Sequence, residues 1–374
     1  MPLTSLRLLF GLATLDLLVV LLVVRYHRRT RRLLGTAAGG LAVLLVAVVG
    51  LAAGINRHFD LYRSWSDLLR PSSADLVAAQ GPAQLARATA VKPAGAAPGR
   101  GTVLSLRIPS PASHLSVDGA YVYLPPQYRE AASSSRSFPV VEAFSGSPGR
   151  PGDWLNGVRA DAQLDKAISA GQLAAAIVVF PPTNTSILRS LECTDTADGL
   201  HDETYLTTDV HSWITSHLRT DGRRWTAIGY STGGYCALDL SFRHPDLFAR
   251  AISLDGYGRA LQDHYARRLW RNRSDRLAHS PDWWVRNHRP EGVAVYLVAG
   301  TADRSAAHDT LATWRALDQA GWLTPTDRLV AQRGGRHTFD DWSRAFLPGL
   351  EWALPGAATP LRDPTPQVAQ LQRR

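Results

Sequence analysis

Two apolar blocks open the chain. Leu33 to Ile55 runs for 23 residues without a charge. As a helix it reaches about 34 Å, enough to cross a hydrocarbon core of about 30 Å. Leu8 to Val24 is shorter and is interrupted by Asp16. A central Asp costs about 2.5–3.5 kcal/mol on insertion, while each of the thirteen Leu, Val and Phe residues in the block returns about 0.3–0.6. The pattern predicts a membrane anchor over 1–56, with transmembrane helices at about 5–24 and 33–55. A cleaved signal peptide is the competing reading of the first block. It lacks a strongly basic start and is followed by arginines and a second apolar block.

From 57 to 100 the periodicity fades. Phe59, Tyr62 and Trp65 suit an interfacial belt, and the stretch from Pro71 to Gly101 is rich in Ala, Pro and Gly, as expected of a tether. Beyond it, strand-like runs alternate with helical spacing. The strands are expected at Thr102–Ile108, Ala120–Leu124, Phe138–Phe144, Ala174–Phe180, Trp225–Tyr230, Arg250–Leu254, Val293–Ala299 and Arg328–Ala331. Helical segments are expected at Trp154–Ser169, Tyr205–Leu218, Gly234–Arg243, Ser305–Ala320 and Phe339–Trp352. A strand pair followed by βαβ units predicts an α/β fold over 101–355: a mixed, mainly parallel eight-stranded sheet with helices on both faces. Residues 356–374 are expected to form a flexible tail.

Charge changes the picture of the front and not of the domain. Of the net +9, residues 1–100 hold 12 Lys+Arg against 4 Asp+Glu, and the remainder holds 29 against 28. A globular nucleic-acid binder would carry its excess on the folded domain, so that class is excluded. Arg25, Arg28, Arg29, Arg31 and Arg32 lie within eight residues, between the two apolar blocks. Under the positive-inside rule this loop stays cytoplasmic, and everything after Ile55 is extracytoplasmic.

Gly229-Tyr-Ser-Thr-Gly233 fits Gly-x-Ser-x-Gly, with a buried strand before it and an apolar helix after it. That tight strand-to-helix turn would raise the Ser231 hydroxyl above the sheet. A serine needs a base and an orienting acid, expected later in the chain in that fold order. Asp303 follows the strand Val293–Ala299, with Asp309 as its rival, and His337 follows Gly334-Gly-Arg after the last strand. The oxyanion hole would use the Thr232 amide and one from Ser145–Arg150: Ser147 first, Gly146 second, since Pro148 has no N–H.

Cys193 and Cys236 are the only cysteines, and an extracytoplasmic domain permits a bridge between them, two buried thiols being the alternative. His201, Asp202, Glu203 and His211 lack metal-site spacing, so no metal is expected, and no cofactor. Between Gly256 and Pro290, Trp270, Trp283 and Trp284 would form either a substrate pocket or a packed surface subdomain.

The stretches Tyr121–Pro126, Phe138–Gly146, Tyr205-Leu206, Asp209-Val210, Gly229–Ala237 and Arg243–Phe248, with His337, resemble the Putative esterase family of α/β-hydrolases. That group contains S-formylglutathione hydrolase (esterase D), enterochelin esterases and the antigen 85 mycolyltransferases. Within it the chain is similar to membrane-tethered actinobacterial esterases. The resemblance covers roughly 101–353 and implies an α/β-hydrolase fold and an ester or acyl-lipid substrate. It departs from the mycolyltransferases in having Asp303 in place of a glutamate, and from many members in having Thr232 in place of a Met. Three functions follow as expectations: an extracytoplasmic serine esterase, an acyltransferase passing the acyl group to a sugar or lipid hydroxyl, and an inactive envelope-binding module. The first two share one triad.

Overall fold

The computed structural model describes residues 3–30, 33–59, 65, 76–90, 100–117, 119–130, 133–184, 189–262, 268–288, 292–359 and 365–372. It divides into two units, Met1–Ser73 and Ala74–Arg374.

In the first unit, α1 (Leu6–Thr30) and α2 (Leu33–Phe59) hold two stretches long and apolar enough to cross a membrane, Leu6–Arg29 and Ala37–Arg57. Their apolar side chains face outward: Phe10 is 70% exposed and Leu51 is 66% exposed. Val23 packs where a Cβ on Gly39 would stand, and the Arg57 guanidinium donates to the Thr4 carbonyl, so the two helices run antiparallel. Arg25, Arg28 and Arg29 lie on the last turns of α1 instead of in a separate loop. Arg31, Arg32 and Tyr62 lie outside the described residues.

The second unit is built on nine strands: β1 (Leu76–Ala78), β2 (Thr102–Leu106), β3 (Ala120–Leu124), β4 (Val140–Phe144), β5 (Ile177–Phe180), β6 (Trp225–Tyr230), β7 (Phe248–Leu254), β8 (Ala294–Gly300) and β9 (Arg328–Gln332). Their order is β1-β2-β3-β5-β4-β6-β7-β8-β9. β3 is antiparallel to both neighbours and every other pair is parallel. All eight expected strands are present. β4, β5 and β6 are buried at every position, which is why they read as mostly apolar runs, although β4 buries Glu142 and β6 buries Thr226.

The ninth strand, β1, and helix α3 (Pro82–Thr89) fall in the stretch read as a tether. A three-residue edge strand is too short to show a period of two, and an Ala-rich helix reads as linker composition. Yet Leu85 and Ala88 are buried. Residues 91–99 lie outside the description. The tail also departs from its expectation. The Gln367 amide donates to the Leu329 carbonyl, its side chain accepts from Ala331 N, and Leu371 is buried in the apolar cluster that includes Leu329. This segment covers β9, an edge strand that would otherwise stand open.

Alternation along β7 and β8 assigns the helices to two faces. Ala251, Val295 and Leu297 join Leu238 of α4 (Thr232–Arg243), Val285 of α5 (Pro281–Asn287) and Leu311 and Leu317 of α6 (Arg304–Gln319) in one core cluster. Ile252 and Tyr296, on the other face, pack against Gly349 of α7 (Phe339–Ala353). The C-terminal ends of β4, β6, β7, β8 and β9 share one edge of the sheet, the edge where open α/β sheets bind ligands.

Candidate active site

Ser231 connects β6 to α4 with φ 55° and ψ −123°, a left-handed conformation that strains any side-chain-bearing residue. Glycines make the turn possible. A Cβ on Gly229 would stand 2.0 Å from the Gly233 carbonyl oxygen, and one on Gly233 would stand 2.0 Å from that of Phe144. The turn is pinned by Ser231 N donating to Leu254 O and by Gly234 N and Tyr235 N donating to Ser231 O.

Two loops converge on this serine. Asp303 follows β8 and is the N-cap of α6: its Oδ1 accepts from Ala306 N at 3.1 Å and from Ser305 Oγ at 2.8 Å. Its Oδ2 accepts from His337 Nδ1 at 2.7 Å, and His337 Nε2 accepts from Ser231 Oγ at 2.8 Å. Asp303 thus caps α6 with one carboxylate oxygen and faces His337 with the other. For His337 the cap belongs to its neighbour, since Thr338 accepts from Asp341 N.

Of the two glycines before His337, Gly334 takes a positive φ of 69° and Gly335 permits a close backbone contact. A Cβ on Gly300 would lie 2.4 Å from the Gly335 backbone, and Ala302 N donates to Gly335 O at 2.8 Å. This contact seats the Asp303 loop against the His337 loop. Burial pushes the Asp303 carboxyl up, but hydrogen bonds from His337, Ala306 N and Ser305 overcome it and hold the group at about 2. Asp309, the rival acid, instead accepts from His308 at 3.1 Å on an exposed helix face.

The oxyanion candidates flank the serine. Thr232 is the first residue of α4, where an N–H has no acceptor within the helix. Gly146 lies against the turn, its missing Cβ 3.1 Å from Ser231 Cβ, and Ser147 follows it in the same loop. Cys193 and Cys236 are joined, S–S 2.04 Å, tying the loop before Asp202 to α4.

The family model described as Putative esterase matches residues 118–353. The chain belongs to that esterase family. An uncharacterized protein of Corynebacterium glutamicum is 27% identical over 245 residues, which is 62% of this chain and 56% of that protein. The chain therefore spans little more than half the length of this curated relative. Among solved structures, a ferulic acid esterase superposes with a TM-score of 0.58 at 18% identity, over 68% of this chain and 98% of the other. An S-formylglutathione hydrolase from Agrobacterium tumefaciens gives 0.54 at 16% identity, over 68% and 95%. MPT51 of Mycobacterium tuberculosis gives 0.52 at 16%, over 69% and 100%. The fold is that of the α/β-hydrolases, as the esterase resemblance implied.

Two residues beside the candidate site, Asp255 and Trp342, are not among the sequence expectations. Asp255 follows β7 with φ 51° and is buried; it accepts from Gly300 N at 2.7 Å and from Trp342 Nε1 at 2.9 Å. The Trp342 ring stands edge-on to His337, centroids 4.9 Å apart. The available signal was the one that found Asp303, a carboxylate just past a strand's C-terminal end.

The remaining candidates disperse. His201 faces Asp195 at 3.5 Å, Asp202 is fully buried, Glu203 binds Arg243 and His244, and His211 lies against Trp225. Of the tryptophans, Trp270 is buried and Trp284 packs on the core cluster. Trp283 instead lines a cavity of about 430 Å³ with Arg259, Arg273, Arg276 and Arg286.

Proposed function

We propose that the protein is a membrane-anchored serine esterase with its catalytic unit outside the membrane. The observation that carries the reading is the unbroken line from Ser231 Oγ to His337 Nε2 and from His337 Nδ1 to Asp303, at the sheet edge where such chemistry is placed. Ser231 Oγ attacks the ester carbonyl carbon as His337 Nε2 takes its proton. The oxyanion is received by the amides of Thr232 and of Ser147 or Gly146. Collapse expels the alcohol, protonated by His337, and leaves an acyl-Ser231. Water then attacks, deprotonated by His337, which passes that proton to Ser231 Oγ as the acyl–oxygen bond breaks and the carboxylic acid departs. Asp303 stays ionised and keeps the imidazolium oriented and stabilised, without itself taking the proton.

Acyl transfer is the second reading, and one feature favours it. The His337 side chain is 43% exposed, so a sugar or lipid hydroxyl as well as water has access to the base. The inactive-module reading is disfavoured by the complete hydrogen-bonded line.

The anchor rests on the two apolar helices and on the arginines at the end of α1, which favour the cytoplasmic side. Protease added to intact cells should remove the catalytic unit; protection until the membrane is broken would reject this orientation. The chemistry is tested with a fluorophosphonate probe. Labelling should map to Ser231, and Ser231→Ala should abolish both labelling and turnover with its thermal transition kept. Turnover surviving in Ser231→Ala rejects the mechanism.

A further inference from the structure

We infer that Glu192 and Tyr257 are positioning residues for the oxyanion side of the site: a buried carboxylate orients a tyrosine hydroxyl that anchors Thr232. The inference rests on the triad reading above and extends it to residues that touch neither the base nor the acid.

Glu192 lies in the loop between β5 and the helical turn at Asp202–Thr204, and is 3% exposed. Its carboxylate accepts from the Tyr257 hydroxyl at 2.8 and 3.0 Å, from Leu261 N at 3.3 Å and from Ser190 Oγ at 3.3 Å. Among the described residues no cation pairs with it. Burial pushes the carboxyl up to about 7, although its hydrogen bonds from Tyr257, Leu261 N and Ser190 pull the other way. A buried carboxylate without a cation is costly to hold, which makes a site beside a reactive centre a reasonable place to find one.

Tyr257 passes the constraint on. Its hydroxyl is 3.3 Å from Thr232 Oγ1, and its ring stacks on Tyr235 of the same helix, centroids 4.9 Å apart and planes 13° from parallel. A phenol has one proton to give. The carboxylate, at the shorter distance, takes it, and the phenol oxygen is left to accept from the Thr232 hydroxyl. Thr232 is then held by its side chain as well as by its helix, and its amide is the one next to Ser231. Both ends of this chain of contacts are tied together covalently. Glu192 precedes Cys193, and Cys193 is bonded to Cys236 on α4. Glu192 and Cys193 have φ 51° and 48°, two successive left-handed residues that turn the loop toward that helix. An oxyanion donor works only within a few tenths of an ångström of its target, and a misplacement of about 1 Å can cost about 10²-fold in rate.

The test is steady-state kinetics on a p-nitrophenyl ester with the full chain in detergent, comparing wild type, Tyr257→Phe, Thr232→Val, Glu192→Ala and Glu192→Gln. Tyr257→Phe keeps the ring and its stack and removes only the hydroxyl. It should lower kcat by about tenfold or more with KM nearly unchanged, the mark of an interaction expressed in the transition state. Thr232→Val should lose a similar factor, and the double variant with Tyr257→Phe should lose no more than either, because the two act as one unit. Glu192→Gln keeps an acceptor oxygen and should recover most of what Glu192→Ala loses. The inference is overturned if Tyr257→Phe retains wild-type kcat, if its loss lies in KM, or if the Tyr257 and Thr232 losses multiply. Should Glu192→Ala fail to fold, the Tyr257→Phe and Thr232→Val pair decides alone. Ser231→Ala separates the two levels: turnover there rejects the triad, whereas an inert Ser231→Ala beside a normal Tyr257→Phe rejects only this inference.

Discussion

Neighbouring strands of the sheet end in two aspartates that have been put to opposite uses. Asp303 follows β8, has a side chain 9% exposed, and is held at about 2 by hydrogen bonds from His337, Ala306 N and Ser305 that outweigh its burial. Asp255 follows β7 and is 3% exposed; burial, joined by the negative charge of Asp303, lifts its carboxyl to about 6 against the pull of Gly300 N, of the His337 ring and of Trp342 Nε1. The residue type is the same, and so is the placement just beyond a C-terminal strand end. What differs is the partner. Asp303 faces an imidazole that can become a cation, and a charge that counters a charge is useful where it is made. Asp255 faces an indole N–H and a backbone N–H, neutral donors that fix geometry. The comparison separates electrostatic support of a base from mechanical support of the loops that carry it.

The comparison breaks first, if it breaks, at the imidazole. His337→Ala should lose several orders of magnitude in kcat, and Asp303→Asn about 10²–10⁴-fold, because the amide no longer favours the required tautomer. Both variants should keep KM near the wild-type value. An Asp303→Asn enzyme with full kcat would move the role of acid elsewhere, and Asp255 would be the first residue to examine.

Asp255→Asn should act through structure. An amide replaces one acceptor with an NH₂ that faces a buried donor, at a cost of about 1–3 kcal/mol. In a unit of this size that lowers Tm by about 2–8 °C. Because Gly300 begins the Asp303 loop and Trp342 stands against His337, kcat should also fall, by about tenfold. A loss as large as that of Asp303→Asn without a change in Tm would erase the distinction.

The pH dependence of stability sharpens it further, because the two groups have opposite signs. Asp255 is raised in the folded state, so its favourable contribution is complete below about 4 and is lost as pH rises through about 6. Asp303 is depressed, so its contribution is present above about 4 and is lost as pH falls through about 2. The Tm difference between wild type and Asp255→Asn should therefore shrink from pH 4 to pH 7. The difference for Asp303→Asn should shrink from pH 4 to pH 2. Thermal melts of the three proteins across pH 2–7 measure both slopes, and slopes of the same sign would contradict these assignments.

Much of this architecture was legible in the linear chain, for identifiable reasons. Strands β4 to β6 are buried on both faces, so they read as mostly apolar runs, interrupted by Glu142 in β4 and Thr226 in β6. Ser231 is flanked by a strand, small residues and a helix, which together specify the turn. Asp303 and His337 stand just past strands, where α/β sheets place chemistry, and the structure brings both to Ser231. Asp255 stands in an equivalent position but is not legible there, because its contacts are with Gly300 and Trp342, 45 and 87 residues away. Glu192 and Tyr257 are harder still. They are 65 residues apart, and neither belongs to a motif. β1 holds no buried residue and the last helix buries only Leu371, so neither has a periodicity to read. Side chains whose function is to hold other side chains leave no spacing of their own.

The smallest effect belongs to the second carboxylate near the start of α6. Asp309 lies six residues after Asp303, in the same helix, α6. Its side chain is 47% exposed and that of His308, its partner at 3.1 Å, is 77% exposed. An exposed pair of this kind contributes at most about 1 kcal/mol and commonly nothing measurable. The α6 turn that carries Asp309 also holds Thr310, which is buried and donates to Gly256 O, so the backbone there is fixed independently of the Asp309 carboxylate. Asp309→Asn should leave kcat within about twofold of wild type and Tm within about 2 °C, measured beside Asp303→Asn in the same preparation. The two substitutions remove the same charge from the same helix, so their ratio isolates the contact with His337 from any general effect of acidity at the sheet edge. A comparable loss in both would mean that the edge needs negative charge in bulk and that the 2.7 Å contact between Asp303 and His337 is incidental. A loss confined to Asp303→Asn ties the effect to that single hydrogen bond.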